Sequence, residues 1–448
     1  MQDYQQFGVY LVQIMRKMKR LILVLALAVL ASCDLILNVD DPIDINSPDP
    51  VANLTKVTLS TEQQAYVNSG NSFAFNCLAD LCKGGTNNLI FSPLSLQYAL
   101  AMTVNGASGE TAEEIINALG YGADLNALNT YCNLLLNQLP ALDKNVTLKL
   151  TDAMLALQDF PVQDGFKKVM NETYYAPVEY VDPANIQEIV DRINEWAARN
   201  TNGLIKPFLN KDDISKDFVA AIMNALYFKA KWSEGEHGAM FMEDATMKNE
   251  TFYKDGGGKS KADMMRTSQN LSYAKRNGYG VVAIPYAGGN FAMYVLLPDA
   301  KGKDGASKLV KQLASESWTE IMNSMNSEAL INLHLPKFEC ESKFGLVETM
   351  QNLGINKAFI PQVAEFDSMF VPHDGYYFWI SNIIQKAKIS VAEWGTEAAA
   401  VTAVIMDKAN AMPGTPKIID FIADHPFVYV IAERTSGAIL FEGVYAGK

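Results

Sequence analysis

The chain has 448 residues, 49% of them hydrophobic, enough apolar material for a packed core in two or three average domains or in one large one. Its formal charge of −13 is spread without a long like-charge block, which argues against a nucleic-acid or polybasic membrane surface and leaves solubility as the plain meaning of the acidity.

Near the start, Met18-Lys19-Arg20 precedes an apolar run from Leu21 that ends in Leu30-Ala31-Ser32-Cys33. A basic start, an apolar segment too short to span a bilayer and small residues before a cysteine read as a secretory signal ending in a bacterial lipobox. The motif implies cleavage before Cys33 and acylation of that cysteine. The expected mature protein is therefore exported and lipid-anchored in a bacterial cell envelope rather than membrane-spanning. An ordinary signal peptide with a chance cysteine is the alternative. Residues 1–32 are upstream sequence and signal peptide, with Met15 or Met18 the more ordinary start. Residues 33–60 carry Asp-Asp-Pro and Ser-Pro-Asp-Pro without an amphipathic period and read as a tether.

Thr61-Glu62-Gln63-Gln64 offers a capping box before a helical pattern that runs towards Cys82 and ends at Gly84-Gly85. Asn88 to Ser95 predicts a short buried strand turning into a helix that reaches Gly106, and Thr111-Ala112-Glu113-Glu114 starts another helix. Gln187 to Thr201, with Ile189, Ile193, Trp196 and Ala197 at helical spacing, predicts an amphipathic helix closed by Asn202-Gly203. Strands are expected at Phe218 to Tyr227, Gly280 to Tyr286, Phe291 to Leu297, Ala329 to Phe338 and Phe378 to Val391. Helices followed by strands, with no linker inside 61–448, predict one α+β domain of helices packed on large, mainly antiparallel sheets. Cys77, Cys82, Cys132 and Cys340 have neither C-x-x-C nor metal-ligand spacing and read as buried free thiols, one disulfide staying open.

Residues 393–406 look like a strand without a sheet. Four alanines favour helix, but Thr396, Val401, Thr402, Val404 and Ile405 favour extended structure. With period two, Thr396, Ala398, Ala400, Thr402 and Val404 share one face, and Glu397, Ala399, Val401 and Ala403 the other. The first face is small enough to slide into a packed interior.

Catalytic constellations are missing from the sequence. There is no G-x-S-x-G elbow, and no H-E-x-x-H among His237, His334, His373 and His425. Gly256-Gly257-Gly258-Lys259-Ser260 lacks the first glycine of a P-loop, Tyr253 standing there, and predicts a hairpin turn. No metal or cofactor is expected.

Gly395-Thr396-Glu397-Ala398-Ala399-Ala400 resembles the hinge of the reactive-centre loop of inhibitory serpins. Phe421 to Ile431, followed by Ser436 to Gly443, resembles the C-terminal signature of the same family, and Phe91-Ser92-Pro93-Leu94-Ser95 and Asn224 to Trp232 resemble the start of its second helix and the central strand of its main sheet. The resemblance implies a serpin-like fold with an exposed reactive-centre loop near the C-terminus. It places Ser92, Ser95, Asn224 and Gln385 in the polar shutter beneath the sheet, and Trp232 at the breach where the loop goes in. Glu393, Gly395, Thr396, Glu397, Ala398, Ala399, Ala400 and Thr402 would form the hinge, with Thr396 exposed until insertion begins. Gln385 stands where the family often has histidine and cannot titrate near neutral pH, and Trp394 replaces a commonly charged residue.

What the resemblance implies is an inhibitor, not an enzyme: a suicide substrate that traps serine proteases, with cysteine proteases as a second class, by inserting its cleaved loop into the main sheet. The family's spacing counted from Glu393 points to the bond Ala409-Asn410, with Lys408 and Met406 as the other reactive-site candidates within Met406 to Met412. Expected partners are target proteases, no nucleic acid, and a membrane only through the anchor; the expected state is a monomer in which loop-sheet polymers can form. A non-inhibitory binding or transport protein of the same fold is the second reading, and a lipoprotein hydrolase, whose triad cannot be assembled, the third.

Overall fold

Helix α1 (Thr61–Leu81) starts one residue earlier in its capping box than the sequence suggests. Ser60 is the cap: its Oγ accepts from the Gln63 N–H, and Gln63 Oε1 accepts from the Ser60 N–H. The computed structural model describes residues 54–182, 185–235, 238–373, 375–396 and 418–448, all within the compact unit Pro48–Lys448.

After α1 the chain forms β1 (Leu89–Phe91), α2 (Pro93–Val104), α3 (Gly109–Leu119), α4 (Leu125–Gln138), β2 (Val146–Leu157), α5 (Asp164–Thr173), β3 (Val178–Val181) and α6 (Ile186–Asn200). It continues through β4 (Ala220–Lys231), the small hairpin β5 (Glu234–Gly235) and β6 (Gly238–Ala239), β7 (Met247–Tyr253), β8 (Lys259–Arg276), β9 (Tyr279–Pro285) and β10 (Phe291–Pro298). Then come α7 (Gly305–Leu313), α8 (Trp318–Asn323), β11 (Asn326–Pro336), β12 (Phe338–Gly345), α9 (Val347–Asn352), β13 (Ile384–Ala392), β14 (Gly395–Thr396), β15 (Ile418–Ile422), β16 (Phe427–Glu433) and β17 (Ile439–Tyr445).

Two large sheets result. One holds nine strands in the order β1-β17-β16-β10-β9-β8-β11-β15, with β7 paired to β8; the other holds six, β12-β13-β14-β4-β2-β3. Pairing is antiparallel except for β2 with β3 and β11 with β15. Helices packed on large, mainly antiparallel sheets are the α+β class expected from the sequence. The glycine run is the expected turn: Gly256 adopts φ 78° where β7 hands over to β8, a conformation open to glycine.

Alternation along the six-stranded sheet decides what each face covers. On β2 and β4, Leu155, Met223 and Ala225 pack outward against Ile189, Ile193, Trp196 and Ala197 of α6. Leu226, Phe228, Ala387, Ile389 and Val391 point inward to the main core, with Leu94 and Leu100 of α2. Each such side chain, fully buried, contributes about 1.5–3 kcal/mol relative to exposure, so both faces of this sheet are held tightly.

One strand expectation is corrected. Residues 378–383 do not extend β13, because Phe378 turns aside to stack on Phe370 (centroids 4.4 Å apart) and the Ile380 N–H donates to the Ala358 carbonyl instead of a neighbouring strand. The strand expected at Ala329 to Phe338 is two, broken at Lys337, and β2, β8 and β12 had no clear sequence signal.

All four described cysteines are buried free thiols, which closes the disulfide alternative. Burial pushes the Cys82 and Cys132 thiols up to about 12 and Cys77 and Cys340 upward as well, so the reactive thiolate is scarce in the folded state. A thiol reagent at mildly alkaline pH should therefore leave these four unmodified in the native chain and modify all four in guanidinium; rapid native labelling of any one, read by peptide mass spectrometry, would contradict this packing.

Candidate functional site

A gap between two strands, filled among the described residues only by two residues, defines the site. In the six-stranded sheet β4 and β13 are joined only through the two residues of β14: Gly395 pairs with Ala392 and Lys231, and Thr396 with Val391 and Ala230. Below that point β4 is paired to β2 along one edge and β13 to β12 along one edge, and no described strand pairs with the edges that face each other. Backbone N–H and C=O groups on those edges are obligatory hydrogen-bonding groups awaiting partners.

A cavity of about 260 Å³ lies there, lined by Asn224 and Leu226 of β4, Gln385 and Ile389 of β13, and Ser92 and Ser95 at the start of α2, with Thr396 at one end. The segment after α6 also lines it and is tied to the far side of the slot. Lys386 Nζ donates to the Pro207 carbonyl (2.8 Å), and Lys343 pairs with Asp213 (2.5 Å).

The upper end is closed by aromatic and polar contacts. Trp232 stacks on Tyr286 with ring centroids 4.7 Å apart and 8° between planes, and its Nε1–H donates to the Ala392 carbonyl at 2.8 Å. The Trp232 N–H donates to the carbonyl of Trp394 (3.2 Å), and Tyr286 Oη shares a 2.7 Å hydrogen bond with Thr396 Oγ1. Burial raises the Tyr286 hydroxyl pKa, which the Thr396 bond opposes. Gly395 sits at φ 143°, and a Cβ there would collide with the Ala230 carbonyl oxygen and come to 2.7 Å from Lys231 Cα, so only glycine fits. Thr396, expected in an exposed loop, is 3% exposed and already in the sheet, because its hydroxyl finds Tyr286 beneath it.

Glu393 is buried yet ionised. Burial alone would raise its carboxyl pKa, but Lys337 Nζ at 2.7 Å and the Thr246 hydroxyl at 2.7 Å hold it below the usual carboxylate range.

Below, the expected shutter residues converge on the N-terminus of α2. Gln385 Oε1 accepts from the Ser92 N–H and its Nε2–H donates to the Ser92 carbonyl, both at 2.8 Å. Ser92 Oγ donates to the Leu440 carbonyl and accepts from the Ser95 N–H as the helix cap. Asn224 lines the same cavity but bonds elsewhere: its Nδ2–H donates to Asp152 Oδ1 at 2.6 Å, directly opposite on β2. Asn224 Oδ1 and Asp152 Oδ2 have no partner, and burial, opposed by the Asn224 bond, lifts the Asp152 carboxyl to about 7.

Asp152, Tyr286 and Lys337 are the site residues that sequence reasoning missed. Val146, Leu148 and Leu150 alternate weakly along β2, and that alternation carries no register, so the position facing Asn224 is set only by the pairing of β2 with β4. Glu397, Ala398, Ala399, Ala400, Thr402, Met406, Lys408, Ala409, Asn410, Cys33 and His237 lie outside the described residues. Among the described residues no His, Cys, Asp or Glu cluster could hold a metal ion, and no helix is long and apolar enough to cross a membrane.

Comparison with known proteins bears on this geometry. A family model described as Serpin (serine protease inhibitor) matches residues 68–446. An uncharacterized serpin-like protein of Thermococcus kodakarensis is 33% identical over 386 residues, 85% of each chain. The crystal structure of tengpin, a thermophilic serpin in its native state, superposes with a TM-score of 0.77 at 25% identity, covering 88% of this chain and 96% of that one. Human thyroxine-binding globulin shares the fold, with a TM-score of 0.72 at 22% identity over 86% of this chain and 99% of its own. The chain belongs to the serpin family.

Proposed function

We propose that the protein is an irreversible, suicide-substrate inhibitor of serine proteases, with cysteine proteases as a second target class. One observation carries the reading: β14 is seated between β4 and β13 at the head of an otherwise unfilled slot. Fold alone does not carry it, since thyroxine-binding globulin, which has the fold, was crystallised with thyroxine bound.

Continuing the pairing of β14 downward gives an insertion register. Ala398 would lie between Phe228 and Ile389, Ala400 between Leu226 and Ala387, and Thr402 between Asn224 and Gln385. Methyl side chains thus meet the bulky inward residues, and the one hydroxyl meets the two amides. Threading residues 397–403 would complete backbone pairing on both sides, worth on the order of 10 kcal/mol at about 0.5–1.5 kcal/mol net per hydrogen bond, before any apolar burial.

The chemistry is the protease's. Its nucleophile adds to the scissile carbonyl, the peptide C–N bond breaks, the new amine takes a proton, and the loop stays joined to the enzyme as an acyl ester or thioester. Residues 418–448 are held in the nine-stranded sheet by β15, β16 and β17, so the cut frees the hinge side to insert. Insertion then carries the acyl-enzyme away from its working geometry before water completes hydrolysis. Lys408 suits a trypsin-like enzyme, and Ala409 or Met406 an elastase-like or subtilisin-like one. We also infer that Cys33 is acylated and holds the domain at a bacterial envelope through residues 33–60.

A protease panel followed by denaturing electrophoresis tests the reading: at least one serine protease should give a complex that survives denaturation, with a cut between Met406 and Met412 located by mass spectrometry. Cleavage without a complex throughout the panel would remove it. Ala400→Arg would force a guanidinium between Leu226 and Ala387 as the loop inserts, at a cost of several kcal/mol, and each ~1.4 kcal/mol on the insertion step slows it about tenfold. The variant should be cut at the same bond and released, raising inhibitor consumed per protease inactivated at least about tenfold, whereas Glu397→Arg, on the other face, should stay near the parent ratio. An unchanged ratio for Ala400→Arg would show that the loop does not work by insertion. For the anchor, palmitate labelling in a bacterial host should be lost in Cys33→Ala, and equal labelling of both forms would remove it.

A further inference from the structure

We propose that Asp152 is a proton-controlled gate on the slot: filling the slot with a strand takes up a proton at Asp152, so insertion is favoured in acid and opposed in alkali. The proposal rests on strand insertion as the function.

Two independent features point to it. The first is an incomplete pair. Asn224 Nδ2–H donates to Asp152 Oδ1, while Asp152 Oδ2 and Asn224 Oδ1, the complementary atoms, are buried without partners. A proton on Oδ2 would donate to Asn224 Oδ1 and complete a two-bond acid–amide pair. An ionised carboxylate instead sets two acceptors against each other. Unpaired buried acceptors of this kind lose their hydration without compensation, so the proton has a defined structural place.

The second feature is the slot itself. Asn224, the residue that holds Asp152, lines the cavity, as do Ser92, Ser95, Thr103 and Gln385. At about 260 Å³ the cavity has room for several water molecules at roughly 30 Å³ each. Such water one residue away screens a carboxylate. A strand seated in the continued register replaces it with alanine methyl groups and adds a hydroxyl, from Thr402, at Asn224. The carbonyl oxygen of Asn224 has two lone pairs and can accept from both Thr402 and a protonated Asp152. The neutral form is therefore fully satisfied in the filled sheet, and the ionised form is sealed into a drier one.

Among the described residues no cation offsets that charge. The titratable groups that interact with it are Tyr98 on α2, Cys132 on α4 and Tyr174 after α5, each held neutral mainly by burial. Asn224 is its partner on β4. The sign follows. With the slot open the carboxyl titrates near 7, and filling the slot raises it further. Insertion is then fully supported below the open-slot value and loses drive as pH rises through it.

The test uses an N-acetylated peptide of residues 397–408 annealed to the intact chain, with incorporation followed on native gels. Glu397, Asp407 and Lys408 of the peptide titrate well outside the window from about pH 6 to about pH 8, so the peptide's own charge is constant there. The annealing rate of the parent should fall about tenfold across that window, following the protonated fraction of a group near 7. Asp152→Asn, a neutral isostere of the acid, should anneal at the acid rate throughout. A flat parent profile, or an equal slope in Asp152→Asn, would overturn the gate while leaving insertion intact. Failure of both chains to anneal at any pH would overturn strand insertion and the gate with it.

Discussion

Everything distinctive in this molecule follows from two sheet edges that face each other without meeting. β4 and β13 run parallel, each paired on its outer side, and between them the backbone has donors and acceptors but only two residues of partner. Buried backbone groups in a finished fold are nearly always paired, so such a sheet is not at its lowest free energy. The tight packing of α6 on one face and of the main core on the other keeps the edges from collapsing together. The native state is thus held by its faces and unfinished along one line.

Two points along that line carry carboxyl groups shifted in opposite directions. At the head, Glu393 is held below the ordinary range by Lys337 and Thr246 against the opposing effect of burial, so its contribution is present at neutral pH and is lost only as pH falls through the lowered value. Midway, Asp152 has one amide and no cation, and burial prevails. The difference is partner chemistry, since both are buried carboxyls.

The sequence made the moving parts legible and the fixed parts obscure. Gly395, Thr396, Ser92, Gln385 and Trp232 are recognisable because motif and spacing mark them, and Gln385 holds Ser92 with both its amide oxygen and its amide nitrogen. Asp152, Tyr286 and Lys337 were illegible because each acts on a partner more than fifty residues away, through a strand register that sequence periodicity does not supply. Asp152 lies 72 residues from Asn224, and only the pairing of β2 with β4 sets them face to face. The failure at residues 378–383 has the same origin: their apolar pattern fits a strand, but Phe370 offers a better surface.

Seating β14 in advance also bears on the hazard that an open sheet carries. Any strand with small side chains could fill the slot, including one from a second molecule, and an unpaired edge invites that exchange. A segment already paired at the head has met the loop-closure cost that an outside strand still faces, so under the proposed mechanism the chain's own loop would have an existing nucleus. Gly395 makes this possible by letting its backbone pass against Ala230 and Lys231 where no Cβ could fit. Trp232, Tyr286 and Glu393 then hold the nucleus in place from three sides. The same two residues therefore bias the slot towards its own loop and fix the register in which that loop would enter.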